Sequence, residues 1–125
     1  MKRHPLFRVF SRSYLTGKGG FVSHIRSTPV AVAGNALVVS ATLLNSTNLG
    51  TQSSLAVSVE ASYDGRAWFV AQADAVEFDA QGVVDKSGSK LSSVDFAFAR
   101  LAAEIKNVDS SHSALFDASV VFSAQ

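Results

Sequence analysis

The side chains that could carry out hydrolysis in this sequence are its many serines and three histidines, His4, His24 and His112. A serine nucleophile needs a base held against it and a third group that orients the base. No serine stands in a Gly-x-Ser-x-Gly turn. Asp109 lies near His112, but the polar residues around the two indicate a solvated turn. We therefore predict that the chain is not an enzyme and has no catalytic residues.

Metal and phosphate sites are not indicated either. The histidines are scattered and cysteine is absent, which argues against zinc. Asp64, Asp74, Glu77 and Asp79 lack the spacing of a calcium loop, and we interpret the last three as a charged sheet edge that discourages accidental pairing. Residues 16–20, Thr-Gly-Lys-Gly-Gly, lack the first glycine and the Ser or Thr of a phosphate loop. We expect no metal and no cofactor.

Two aromatic residues flank the turn of a hairpin that we predict over residues 55–70. Apolar residues recur at every second position from Leu55, which is typical of a strand with one buried face, and Asp64-Gly65 supplies a tight turn. Tyr63 and Trp68 lie on either side of that turn. They could form a stacking platform for a sugar ring or pack over the hairpin, and we favour packing.

The elements that position these residues are short strands separated by polar turns. The chain has 125 residues, of which 47% are hydrophobic, enough for one domain with its own core. Residues 93–106 fit either an amphipathic helix or a strand, and we favour the strand because a turn links them to the alternating residues 114–122. We predict an all-β fold, a single antiparallel β-sandwich of jelly-roll type with about eight strands, over residues 30–125.

Residues 1–29 are predicted to form a basic N-terminal arm. Six bases before Glu60 give a charge of +6, and five bases against ten acids from Glu60 onward give −5. A basic arm on one copy could therefore meet an acidic surface on another. The residues that we expect to act in assembly are Arg3, Phe7, Arg8, Phe10, Arg12 and Lys18.

The same bases are interleaved with aromatic residues, which would also suit nucleic acid, but the acidic remainder of the chain disfavours that partner. Arg8 and Arg12 interrupt any apolar run long enough for a signal peptide. No stretch approaches the length of a membrane helix. We expect no contact with a membrane.

The segment Ser62-Tyr63-Asp64-Gly65-Arg66-Ala67-Trp68, followed by Phe98-Ala99-Arg100-Leu101, resembles a pattern in discoidin-like carbohydrate-binding sandwiches. Similar hairpins occur in sandwich domains of bacteriophage virion proteins. The first resemblance implies sugar binding through Tyr63 and Trp68, and the second implies a role in a particle.

From these observations we predict a non-enzymatic building block that assembles with copies of itself and with other particle proteins. The expected setting is a bacteriophage virion or phage-like particle, as a capsid, decoration or tail component, with the cytoplasm as its location before assembly. The alternative is a carbohydrate-binding or adhesion module that uses Trp68 and Tyr63.

Overall fold

The computed structural model describes residues 6–18, 21–22, 24–32, 36–47, 49, 53–79, 83–91, 95–106 and 111–123. Within these residues the chain forms ten β-strands and no helix, so no described helix is long and apolar enough to cross a membrane. The strands are β1 (Leu6–Lys18), β2 (Phe21–Val22), β3 (His24–Arg26), β4 (Val30–Ala31), β5 (Ala36–Thr47), β6 (Ser54–Ser62), β7 (Phe69–Phe78), β8 (Val84–Leu91), β9 (Phe98–Lys106) and β10 (His112–Ser123).

Two antiparallel sheets form a sandwich. Sheet A has the order β2-β1-β10-β5-β8, and sheet B has the order β3-β9-β6-β7, with β4 also paired to β9. If β3 and β4 are taken as one interrupted strand, the two layers have four strands each, and their strand order is that of a jelly roll with β2 added at one edge. The predicted fold class is confirmed.

The core lies between the sheets and follows from the alternation along their strands. In β5, the side chains that point inward are completely or almost completely buried, from Leu37 to Leu43. In β9, Leu101 and Ile105 are fully buried, and Leu101 is opposite Val59 of β6. Residues 98–106 are therefore the strand that the sequence favoured over a helix.

The N-terminal segment differs from its prediction. Residues 6–18 form β1, which lies inside sheet A and pairs along β10 from Leu6 opposite Val121 to Gly17 opposite His112. Residues 24–26 and 30–31 both pair with β9, so strands of one sheet lie on either side of the predicted boundary at residue 29. These strands belong to the sandwich instead of forming an arm outside it.

A β-bulge explains how β1 contributes to the core. Phe10 and Leu15 are five residues apart and would point to opposite faces of a regular strand. Arg12 has a φ of 46°, and the register of β1 shifts between Phe10 and Ser13. The extra residue changes the phase of the strand, so both Phe10 and Leu15 are buried.

The two outer strands of sheet B are held by different contacts. At the β3–β4 break, the Ser27 backbone N–H donates to the Leu101 carbonyl oxygen, and the Leu101 N–H donates to Ser27 Oγ, each over 2.8 Å. At the other edge, β8 lies against the second half of β7, where Lys86 Nζ donates to the Glu77 carbonyl oxygen over 2.7 Å. A Cβ at Gly88 of β8 would be only 2.7 Å from the Ala75 carbonyl oxygen, so glycine allows this close approach.

Candidate functional site

The turn between β6 and β7 is held by one carboxylate. Asp64 Oδ1 accepts hydrogen bonds from the backbone N–H groups of Arg66 (2.8 Å) and Ala67 (3.0 Å) and from Ser62 Oγ (3.1 Å). Gly65 follows with a φ of 81°, so the predicted hairpin is confirmed. The backbone N–H of Ala67, then that of Arg66, then the Ser62 hydroxyl lower the pKa of Asp64 below its ordinary value. The turn therefore presents a fully exposed, ionised carboxylate.

Aromatic rings collect beside this turn. Tyr63 is 62% exposed, and its ring stacks on Phe69 with centroids 5.5 Å apart and planes at 26°. Phe69 in turn meets Phe96 edge-on at 6.1 Å. We call the resulting concavity of about 280 Å³ the aromatic groove; its lining residues are Tyr63, Asp64, Ala67, Trp68 and Phe69.

Trp68 connects the aromatic groove to a charged array. The guanidinium carbon of Arg100 lies 4.0 Å from the centroid of a Trp68 ring, which is a cation–π contact. The structure thus brings Tyr63 and Trp68 to one groove, as the sequence proposed. Each ring also packs against a side chain of this chain, Tyr63 against Phe69 and Trp68 against Arg100.

The charged array consists of Arg26, Glu60 and Arg100, which come from β3, β6 and β9. Glu60 Oε1 accepts from Arg100 Nε over 2.7 Å and from Arg26 Nε over 3.1 Å. The Glu60 side chain is only 13% exposed, against 21% for Arg100 and 44% for Arg26. One carboxylate therefore sits between two guanidinium groups, and the array carries a surplus positive charge.

A second concavity of about 210 Å³ lies on the outer face of sheet B beside this array. Its lining residues include Ala102 of β9 and Val70 of β7, and Val70 is opposite Glu60 in the strand register. The sequence did not single out this surface, because it joins residues 34 and 40 positions apart. Only the strand register brings them together; the apolar–polar alternation of β6 marks Glu60 as outward-facing but does not identify its partners.

The predicted assembly residues are placed as follows. Phe10 is 5% exposed and packs edge-on against Phe116 with ring centroids 5.3 Å apart. Arg12 has an exposed side chain, and its backbone N–H donates to Asp117 Oδ1. Phe7, Arg8 and Lys18 are in β1, but their side chains lie outside the described structure, as does the whole of Arg3. Phe10 therefore packs within its own chain, and the assembly role of the other residues stays a prediction.

His112 is not in a solvated turn. It is 3% exposed, and its Nε2 lies 2.9 Å from Oγ of Ser53, which is 4% exposed. His112 begins β10 of sheet A and Ser53 precedes β6 of sheet B, so the pair links the two sheets. Asp109 lies outside the described residues. Across the part of the chain that is described, no three acidic or histidine side chains cluster in a way that could hold a metal.

No family model and no curated protein match this chain. Its fold is similar to part of a chain in the structure of the infectious bursal disease virus Gx strain, with a TM-score of 0.63 and 9% identity over 100% of this chain and 32% of that one. The VP2 subviral particle of infectious bursal disease virus has a TM-score of 0.61 and 9% sequence identity, over 99% of this chain and 33% of that one. The structure of the Gt strain has a TM-score of 0.61 and 8% sequence identity, over 98% of this chain and 32% of that one. The chain thus spans about a third of the length of these viral chains, and at such identities the likeness establishes that it shares their β-sandwich fold.

Proposed function

We propose that this chain is a non-enzymatic structural unit of a virus particle that associates with copies of itself. The observation that carries the proposal is the jelly-roll fold. The alignment with the VP2 subviral particle covers 99% of this chain. Within virus particles, a bacteriophage virion or phage-like particle is the setting that we propose, with a role in the capsid, as a decoration or in the tail.

The distribution of charge supports association between copies. Arg12 is exposed on sheet A, while Asp74, Glu77 and Asp79 are exposed along and just after β7 of sheet B. Exposed side chains of opposite sign on different parts of one chain can pair between two copies. The proposal of a non-enzymatic role is supported by the burial of Ser53 and His112, which keeps that pair away from any substrate.

The proposal is tested by light scattering during size-exclusion chromatography, together with negative-stain electron microscopy of the same fractions. The expected result is a species larger than the 13.2 kDa chain whose share grows with protein concentration and decreases with added salt. A chain that remains at the monomer mass over a hundredfold range of concentration, at low and high salt, would contradict the proposal.

A second candidate function is carbohydrate binding at the aromatic groove. The observation that favours it is the exposed Tyr63 ring beside the ionised Asp64 carboxylate, since sugar rings stack on aromatic faces and their hydroxyls donate to carboxylates. A glycan array compares the parent chain with Tyr63→Ala. Tyr14→Ala is the matched control, because Tyr14 is 63% exposed and lies on the other sheet. Binding that is lost only in Tyr63→Ala supports this function, and an array without saturable binding excludes it for the sugars present.

A further inference from the structure

The turn between β6 and β7 contains the only Asp-Gly sequence in the chain, Asp64-Gly65. A backbone nitrogen that follows an aspartate can attack the carboxyl carbon of that side chain and close a five-membered succinimide ring. Glycine in the following position favours the reaction, because it has no side chain to hinder the approach of its nitrogen. Asp64 and Gly65 are both exposed, so water can reach them. The turn therefore has the composition and the exposure of a site of spontaneous modification.

The modification needs no co-reactant except water. The Gly65 nitrogen forms a bond to Asp64 Cγ, and the carboxyl group loses its hydroxyl, which leaves as water with the Gly65 N–H proton. A second water molecule then opens the ring at one of its two carbonyl carbons. Opening at Cγ restores aspartate. Opening at the main-chain carbonyl carbon leaves the chain running through Asp64 Cβ and Cγ, which is isoaspartate.

Ser62 restrains the nitrogen that would attack. The Gly65 N–H donates to Ser62 Oγ over 2.8 Å, and the Asp64 N–H donates to the same oxygen over 3.3 Å. Ser62 is fully buried at the end of β6, so its hydroxyl has little freedom to move with the turn. The Gly65 nitrogen must leave this acceptor before it can lose its proton and bond to Cγ.

The carboxyl group of Asp64 is restrained as well. Its Oδ1 accepts from the backbone N–H groups of Arg66 and Ala67 and from the Ser62 hydroxyl. These donors favour the ionised form, and the pKa of Asp64 is lowered accordingly. A succinimide forms from the protonated carboxyl, because an ionised carboxylate is a poor electrophile and has no hydroxyl to lose. The folded turn thus opposes both the approach of the two atoms and the reactive protonation state.

We propose that Asp64-Gly65 is a latent site of isoaspartate formation and that the Ser62 hydroxyl keeps this site closed in the folded chain. The reaction then takes place in those molecules in which the turn is transiently open. Ser62 acts here as a positioning residue, through its contacts with Gly65 and Asp64. The inference concerns a single chain and does not depend on the proposed function.

Isoaspartate at position 64 would change the aromatic groove. It adds one methylene group to the main chain of the turn, and the free carboxylate is then the former main-chain carbonyl carbon. That carboxylate no longer occupies the position in which Oδ1 accepts from Arg66 and Ala67. Tyr63 and Trp68 lie on either side of the turn, so the lengthened chain alters their spacing. Sugar binding at the groove, if present, should decrease as the modification accumulates.

The rate of the modification is measured on the full chain, folded in buffer and unfolded in guanidinium chloride, at the same neutral pH. Heavy-oxygen water labels each ring that opens, and peptide mapping with fragmentation locates the label and the isoaspartate at residue 64. The folded parent chain should react about tenfold or more slowly than the unfolded chain. Ser62→Ala should react about tenfold faster than the folded parent chain, because it loses several hydrogen bonds that hold the turn closed.

Ser58→Ala is the matched control, because Ser58 is also on β6 and its Oγ also accepts a backbone N–H, that of Asp74 over 3.0 Å. It should react at the rate of the parent chain. Far-UV circular dichroism establishes that each variant is folded. If Ser62→Ala does not fold, hydrogen exchange of the Gly65 amide in the parent chain takes its place, since the same opening of the turn exposes that amide.

Four results would overturn the inference. They are equal rates in the folded and unfolded parent chain, a Ser62→Ala rate no higher than that of the folded parent, an equal increase in Ser58→Ala, and a Gly65 amide that exchanges as fast as in the unfolded chain. Each of these rates is measured within a single chain, so the outcome is separate from the light-scattering test of association.

Discussion

Replacing Gly88 with alanine is expected to destabilise the sandwich, because β8 passes too close to β7 and β5 to leave room for a methyl group. An added Cβ would lie 2.7 Å from the Ala75 carbonyl oxygen, 2.7 Å from Val76 Cγ2 and 3.0 Å from the Val39 carbonyl oxygen. Two of these three atoms belong to the backbone of neighbouring strands. They cannot rotate away as a side chain can, so one strand has to shift.

The size of the effect follows from two opposing contributions. Overpacking a well-packed site costs about 1–3 kcal/mol. Replacing glycine with alanine also lowers the conformational entropy of the unfolded chain, which raises the free energy of unfolding by about 0.4–1 kcal/mol. From the middle of each range, the net loss in the free energy of unfolding is about 1–2 kcal/mol. With an unfolding entropy of about 2.1 cal/mol/K per residue, this lowers the Tm of a chain of this length by about 4–8 °C.

Urea unfolding followed by fluorescence measures this loss, because Trp68 is the only tryptophan in the chain. Gly65→Ala is the informative comparison. There a Cβ would lie 3.6 Å from the nearest Phe98 atom, an ordinary contact, and the cost of about 1 kcal/mol comes from the φ of 81°. Gly65→Asn should recover most of that loss, since asparagine tolerates this conformation, whereas Gly88→Asn should not. A Gly88→Ala chain as stable as the parent would refute the close approach of β8 to β7.

Predictions for four further substitutions concern polar contacts of the sandwich. Glu60→Gln should lower the free energy of unfolding by about 1–2 kcal/mol, because it weakens two charge-assisted hydrogen bonds. Arg26→Ala should lower it by less than Glu60→Gln, since Arg26 is 44% exposed; equal losses in urea unfolding would contradict this order. Ser27→Ala should cost about 1–3 kcal/mol, because the buried Leu101 N–H loses its acceptor, and faster hydrogen exchange of that amide would show the cause. The lowered pKa of Asp64 means that its stabilising effect is present above the ordinary value of 3.8 and is lost as the pH falls through the lower folded-state value. The difference in stability between the parent chain and Asp64→Asn should therefore be constant near neutral pH and shrink below 3.8, and a difference independent of pH would contradict this origin.

Strands whose side chains alternate without interruption could be predicted from the sequence. The β6–β7 hairpin has alternating apolar residues and an Asp-Gly turn, two signals that agree, and its Tyr63 and Trp68 do lie on one groove. For β9, the spacing of apolar residues also fitted a helix. Its neighbour along the chain, β10, settled the choice because its own alternation is clear.

The N-terminal strand could not be predicted in the same way, because the bulge at Arg12 breaks its alternation. Phe10 and Leu15 have the wrong spacing for one face, and nothing local in the sequence marks the extra residue. The Arg26–Glu60–Arg100 array was missed for another reason. Its members come from three strands, and their proximity depends on a register that a single sequence does not contain.

The pairing of β1 with β10 has a consequence for how the protein is made. Arg12 and Asp117, which meet in sheet A, are 105 positions apart. During translation β1 emerges early and has no partner until β10 has been synthesised, and strand pairs so distant in sequence form slowly. Throughout that interval Val9 and Phe10 are exposed to other nascent chains. Arg8 and Arg12 flank them in the sequence, and charges in such positions oppose aggregation. We therefore expect Arg8 and Arg12 to help keep β1 soluble until β10 has been synthesised.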